Sequence, residues 1–304
     1  MKKIIYIAGA LMLLFPALAG AQALPYVAAD FDAISLGKAG ANLTETGTIS
    51  NGGLNNAAAM PFSELPYEAT VGYALWQPSN SAANLINAGF AYNIKQKFAL
   101  AFSANLGLNK PYDVVDASGT AKGTYTPKDM HLAFGLAYRF LPYLSLGVNV
   151  GYANSSLAAD YSYGAVTADV FVMTKVKDFK ATVGVANLGS NVTSASGVKF
   201  SLPASVALGV GYDKAFAQKH AVDVALDADY FFAGGFAASL GAGYTYNDMV
   251  SVRAGYHLGG DTVIPSYASV GAGVKFFGVR LDLAYLIASG PMKNTLAASL
   301  GVSF

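Results

Sequence analysis

The sequence has no cysteine, three histidines, one tryptophan and few charges. Only 12% of its 304 residues are Asp, Glu, Lys or Arg, against roughly 25% in an ordinary soluble protein. Without cysteine there is no disulfide to stabilise the chain and no thiolate chemistry. His131, His220 and His257 lie far apart, His220 by a turn, and none has the Ser or Asp arrangement that a nucleophile, base and orienter require. The same scatter gives no metal-ligand spacing. No catalytic residue, metal or cofactor is therefore expected. The net charge of +1 comes without a basic patch, which excludes nucleic acid from the expected partners. Glycine-rich runs such as GAGYTYN (Gly241–Asn247) precede no helical pattern and are not phosphate loops.

Long apolar runs are also missing, except at the start. Residues 1–21, MKKIIYIAGALMLLFPALAGA, have a basic beginning, an apolar stretch from Ile4 to Phe15 and an Ala19-x-Ala21 end. That is a secretory signal peptide, with cleavage expected after Ala21. No Cys follows, so it is not a lipoprotein leader. The run is shorter than the roughly 20 residues of a spanning helix, and no later run is long enough. Yet 54% of the residues are hydrophobic, with 33 Gly, 19 Tyr and 18 Phe. An exported, strongly apolar chain with no helical span must bury its apolar residues in another way.

Alternation supplies that way. In FALAFSANLGL, Phe98 to Leu108, one set of alternate residues is apolar and the other is small and uncharged. This reads as a β-strand with two different faces. The pattern recurs from Val71–Tyr73–Leu75 to Leu296–Ala298–Leu300–Val302–Phe304, fourteen times in all. Tyr and Phe near strand ends suit interfacial belts. In lipid every backbone polar group must be paired, and only closure of a sheet achieves this without helices. The fold class expected is all-β: a 14-stranded antiparallel transmembrane β-barrel with an N-terminal plug, or hatch, segment. Its apolar face meets lipid and its small face lines the lumen. A soluble β-sandwich would leave a large apolar surface in water.

The connections agree. Short links at 95–97, 141–143, 174–178 and 247–248 alternate with longer ones at 76–85, 109–129, 153–163, 187–203 and 259–266, the asymmetry expected between periplasmic and extracellular ends. Ala233–Gly235 is a loop by parity but very short, which leaves the strand count open by two. The connection Asn109–Asp129 reads as a mobile polar loop on the external surface, and Trp76 as an interfacial anchor.

Residues 22–68 do not alternate and are rich in Gly, Ala, Asn and Thr. They are expected to fill the lumen as a hatch, ahead of a barrel over 69–304, because an open water channel would show more charge on its walls. Strand parity turns His131, Arg139, Asp223, Asp227, Asp229, Arg253, His257, Lys275, Arg280 and Asp282 inward. On the lipid face an Arg or Lys near the midplane would cost about 2–4 kcal/mol. These residues read as a paired lumen network holding the plug, with a solute site as the sharper alternative.

SLGKAGANLTETGTISNGGLNNAAAM resembles the start of FadL-type barrels and, more closely, of the PorV/PorQ group of outer-membrane proteins. Gly37, Ala39 and Gly40 match its first motif. Asn55, Asn56 and Ala57 stand where Asn-Pro-Ala would be, without the proline. The ending resembles the same group through Asp282, Ala284, Tyr285, Asn294, Thr295, Ser299, Leu300 and Phe304. The resemblance implies a hatch-bearing barrel in the outer membrane of a Gram-negative bacterium, surrounded by lipid. It also implies two candidate functions. One is a non-enzymatic accessory in type IX secretion that binds exported proteins or secretion components. The other is a passive transporter of small hydrophobic molecules.

Overall fold

The computed structural model describes residues 22–76, 83–194, 197–259, 264–289 and 293–303. The leader reading at residues 1–21, and Phe304 of the C-terminal signature, lie outside them. Fourteen strands follow one another: β1 Tyr67–Trp76, β2 Ala83–Ile94, β3 Phe98–Leu108, β4 Lys128–Leu141, β5 Leu144–Ala158, β6 Tyr161–Val176 and β7 Phe179–Gly189. They continue as β8 Ser205–Phe216, β9 His220–Phe231, β10 Phe236–Tyr246, β11 Val250–Leu258, β12 Tyr267–Phe276, β13 Val279–Ile287 and β14 Leu296–Ser303. Each pairs antiparallel with its neighbours in sequence, and β1 closes the ring on β14 from Glu68↔Ser303 to Leu75↔Leu296. The count of fourteen is settled at Ala233–Gly235. Gly234, with φ +96°, turns the chain there, and Phe231 N–H donates to Gly235 O at 3.1 Å.

The side chains sort by parity. Phe102 is 52% exposed, Val150 53% and Leu240 53%, while their neighbours Ala101, Ser103 and Asn149 are buried. A closed ring with an apolar outer face suits hydrocarbon, since among the described residues no second sheet covers that face.

Two expectations about the connections are corrected. Residues 153–163 are not a long loop. β5 and β6 stay paired up to Ala158↔Tyr161. The Ser and Asn residues that look like loop composition hydrogen-bond here, Asn154 Nδ2 donating to Ser162 Oγ at 3.0 Å along the tall hairpin and Ser155 Oγ to Asp129 Oδ1 of β4 at 2.6 Å. The 109–129 connection is likewise ordered. Tyr112–Val115 pairs with Ala121–Tyr125, and Tyr112 OH donates to Leu157 O at 2.9 Å, tying this outer hairpin to β5.

The residues ahead of β1, called the hatch below, fold inside the ring. They form a single-turn helix α1, Ala33–Gly37, and 3-10 turns at Pro25–Ala28 and Ala57–Phe62. Asp32 caps α1 by accepting from Ile34 N and Ser35 N at 3.1 and 2.9 Å. Phe31, Leu36 and Ala39 pack on Ala74, Leu85, Tyr267 and Leu286 of the wall. On the other side Ile49, Ala57 and Met60 pack on Ala91, Ala99, Ala101 and Ala137. The small inward residues have a direct reason: hatch backbone touches the wall. A Cβ on Gly147 would lie 2.2 Å from Ala58 N, and one on Gly255 would lie 2.4 Å from the Lys38 carbonyl carbon.

Candidate functional site

The hatch divides the interior into two chemically distinct halves. At the short-turn rim the contents are ionic. Arg253 Nη1 and Arg280 Nε each bind one oxygen of Asp282 at 2.7 Å, and Arg280 Nη2 also lies 2.9 Å from Glu68 Oε1. Glu68 Oε2 accepts from Thr48 Oγ1 and Ile49 N at 2.6 Å and from Ser50 N at 3.0 Å. A carboxylate that begins β1 thus holds three consecutive hatch residues. Lys38 of the hatch pairs with Glu45 and, at 3.2 Å, with Asp223. Burial disfavours the Lys38 ammonium, but the two carboxylates outweigh it and raise its pKa. Burial likewise works against ionised Glu45, and Lys38 and Lys180 reverse it, so its pKa is lowered. Lys180 binds Asp213 at 2.6 Å, Arg139 lies over the Phe62 ring at 5.6 Å, and Lys275 reaches Asp248 at 3.7 Å on the rim. A cavity of about 170 Å³ lies among Lys38, Asp223, Arg253, Arg280 and Asp282.

Towards the long-loop rim lies a second cavity of about 130 Å³, between hatch and wall. Its carboxylates are partly engaged. Asp227 Oδ2 accepts from Leu43 N at 2.8 Å, Asp229 Oδ1 from Ser205 Oγ at 2.9 Å, and Asp30 Oδ1 from Asn42 Nδ2 at 2.6 Å. Burial, reinforced by neighbouring Asp32, pushes the Asp30 carboxyl well above its ordinary range. Trp76 packs on Phe31 with ring centroids 6.2 Å apart, and His257 stacks on Tyr267 at 5.1 Å. The reading of Trp76 as an interfacial anchor is therefore corrected. Its parity on β1 turns it inward, and it lines the cavity.

The wall beside this cavity is irregular. Two residues of β7, Ala186 and Asn187, stand opposite one residue of β6, Asp169, as a β-bulge. Asn187 adopts φ +55°, and its N–H donates to Asp169 Oδ1 at 2.6 Å. The β7–β8 ladder ends at Ala186↔Ser205.

The sequence-predicted charges divide between the halves. Arg139, Asp223, Arg253, Lys275, Arg280 and Asp282 stand at the short-turn half, and Asp227, Asp229 and His257 line the outer cavity. His131 bonds Thr167 Oγ1 at 3.0 Å in the wall. Of the hatch motif, Asn56 caps the second 3-10 turn through Ala58 N at 2.9 Å and donates to Leu43 O and Thr182 Oγ1. Asn55 O accepts from Asn149 at 2.6 Å, and Ala57 is buried beside them. Gly37 lies against Gly271, and Ala39 and Gly40 turn the chain with φ +54° and +84°. At the other end Tyr285 OH donates to Asn294 Oδ1 at 2.9 Å, and Thr295 is buried. Lys180, Asp213 and Asp169 escaped the sequence reading although their parity was visible. Lys38, Glu45 and Asp30 had no periodicity to betray them. Among the described residues no three of His, Cys, Asp and Glu are grouped to hold a metal ion.

No protein-family model and no curated protein matches the chain. Solved structures do. The toluene transporter TbuX of Ralstonia pickettii superposes with a TM-score of 0.62 at 10% identity, over 90% of this chain and 97% of that one. The toluene transporter TodX of Pseudomonas putida gives 0.62 at 11%, over 95% and 98%. The fold is that of the toluene-transporter barrels. A FadL homologue of Pseudomonas aeruginosa shares this toluene-transporter fold, with a TM-score of 0.53 at 12% identity over 94% and 97%. At these identities the likeness is one of fold, and it extends over nearly the whole of each chain. It agrees with the FadL-type architecture and lends nothing to the narrower PorV/PorQ assignment.

Proposed function

We propose that the chain is an outer-membrane barrel of a Gram-negative bacterium that lets small, largely apolar molecules pass without catalysis, its short turns facing the periplasm. Of the two functions left open by the sequence, this is the transporter. The observation that carries it is the cavity between hatch and wall, lined partly by aromatic side chains, beside the bulge at Ala186–Asn187. A solute entering from the long-loop side meets the hatch, which blocks the direct route down the lumen. The interrupted β6–β7 pairing and the end of the β7–β8 ladder offer a sideways route into the bilayer. The solved transporters of the same fold support this reading. The accessory role in type IX secretion, with exported proteins as partners, has the sequence motifs alone behind it.

The test is uptake of radiolabelled toluene by cells lacking the chromosomal copy and supplied with wild type or with Asn187 deleted, which restores regular β6–β7 pairing. Uptake is expected to fall at least tenfold in the deletion variant. Equal uptake with and without the protein, together with loss of surface-protein display, would turn the assignment to the accessory role.

A further inference from the structure

We propose that the long-loop end of β4 and β5 binds, on the outer face of the barrel, the phosphate of a glycolipid in the outer leaflet of the membrane. The inference goes beyond the transport reading and shares with it only the outer-membrane placement.

It starts from charge sorted by parity. Among the described residues of the fourteen strands, only two Asp, Glu, Lys or Arg side chains stand in the outward set, Lys128 of β4 and Lys214 of β8. Lys214 lies at the short-turn end and pairs with Asp178 at 2.6 Å. Lys128 lies at the long-loop end, is exposed, and has no ion pair among the described residues. Register fixes its height. Lys128 stands opposite Leu108, the last lipid-facing residue of β3, and opposite Ser156 of β5. The ammonium therefore leaves the wall at the outer edge of the apolar band. There a lysine lays its stem on apolar neighbours and its head among headgroups, and anionic headgroups attract it.

A second, independent support is the chemistry of the surrounding residues. Asn109 N–H donates to Pro127 O at 3.0 Å and carries the β3–β4 pairing one step past Leu108↔Lys128. Exposed Lys110 thus follows beside Lys128, and it too has no ion pair among the described residues. Ser156 Oγ and Tyr125 OH share a hydrogen bond of 2.6 Å. Tyr152, 45% exposed, extends its hydroxyl over Gly164, where a Cβ would collide with it, and that hydroxyl bonds no described residue. Ammonium and hydroxyl donors are what a phosphate and the sugar carrying it require. The neighbouring carboxylate does not compete. Asp129 has the inward parity and accepts from Asn109 Nδ2 at 2.9 Å and from Ser155 Oγ at 2.6 Å. Asp113 belongs to the outer hairpin and Asp160 to the β5–β6 turn, both beyond the level of Lys128.

This sector differs from the rest of the long-loop rim. On β9 to β14 the outward residues nearest the long loops are Tyr230, Phe236, Leu258, Ala268, Ile287 and Leu296, all apolar or aromatic. On β4, β5 and β6 they are Lys128, Ser156 and Ser162. A lipid that sets its phosphate on the two lysines can run its chains down the apolar face below them.

The full chain, folded in detergent micelles, is titrated with bisphosphorylated lipid A, with the same lipid after dephosphorylation, and with phosphatidylglycerol. Bound lipid is counted by native mass spectrometry. The bisphosphorylated form is expected to bind at a concentration at least tenfold lower than either of the others. In Lys110→Gln/Lys128→Gln, whose folding is checked by heat-modifiable gel mobility, that advantage is expected to vanish. Lys95→Gln/Lys219→Gln removes the same charge from exposed short-turn positions and is expected to keep it. Should the first variant not fold, the wild-type ranking decides alone. Equal binding of the dephosphorylated lipid overturns the proposal. Phosphatidylglycerol bound as tightly as lipid A overturns it in favour of a general attraction to negative headgroups, and inorganic phosphate that displaces lipid A at equal concentration overturns it in favour of a free anion. Failure of the shared placement shows separately, as protein missing from the outer-membrane fraction of lysed cells, and would remove this occupant with it.

Discussion

Asp282 is a buried carboxylate of the interior, 1% exposed and bound at both oxygens by guanidinium groups. Asp282→Ala would take the carboxylate from Arg253 and leave Arg280 with Glu68 and the Thr48 hydroxyl. Removing one partner from a buried ion pair costs about 3–5 kcal/mol. The urea midpoint in detergent, read from Trp76 fluorescence, is expected to fall accordingly. Asp282→Leu combined with Arg253→Met is expected to recover part of that loss, since it removes both members of one pair and keeps Arg280 on Glu68. Strand parity alone was enough to turn Asp282 inward. It could not assign partners, because which cation meets which carboxylate depends on the stagger between strands and on a hatch that has no period. Trp76 shows the same limit. An aromatic residue at a strand end fits an interfacial belt as well as a cavity wall, and the parity of β1, which puts Trp76 on the face of Ala74, distinguishes them.

At the scale of elements, alternation was legible wherever lipid-facing residues are bulky, as in β3. It faded where a strand rises beyond the apolar band. There the outward face of β5 and β6 turns polar at Asn154, Ser156 and Ser162, and Ser and Asn pair along a hairpin as readily as they sit in a loop. The outer hairpin Tyr112–Tyr125 is held at its tip by Asp116. This carboxylate accepts from Ser118 Oγ at 2.6 Å and Thr120 N at 3.0 Å and pairs with Lys122 at 3.1 Å. The Ser118 hydroxyl leads these contacts in lowering the Asp116 pKa from 3.8 to about 2. A folded-state value below the ordinary one means that the tip gains stability that is complete above the ordinary value and disappears as pH falls through about 2. Amide chemical shifts of Ser118 and Thr120 are expected to stay constant from about pH 8 to about pH 5 and to move only below about pH 3.

For the whole molecule, the small inward residues have one cause: hatch backbone lies against the wall at Gly147 and Gly255. Gly147 is a sharp test of this, because its missing Cβ is where Ala58 backbone lies. Gly147→Val is expected to displace the 3-10 turn Ala57–Phe62 and raise single-channel conductance in planar bilayers at least tenfold over the wild type. Unchanged conductance would mean that the hatch does not seal the pore. The closed barrel could be read from the sequence because its pattern repeats fourteen times. The two cavities could not, since they arise where an aperiodic segment meets a periodic wall.

Glu68 has a bearing on how the protein is made. It belongs to β1, whose partner across the seam is β14, the last of the fourteen strands to be translated. It also grips Thr48, Ile49 and Ser50, with Arg280 of β13 beside it. The stopper thus finds its mooring complete only once the far end of the polypeptide has arrived, so that sealing the cylinder and corking it become one assembly event. A product halted short of that point has no finished pore through which a cell could leak.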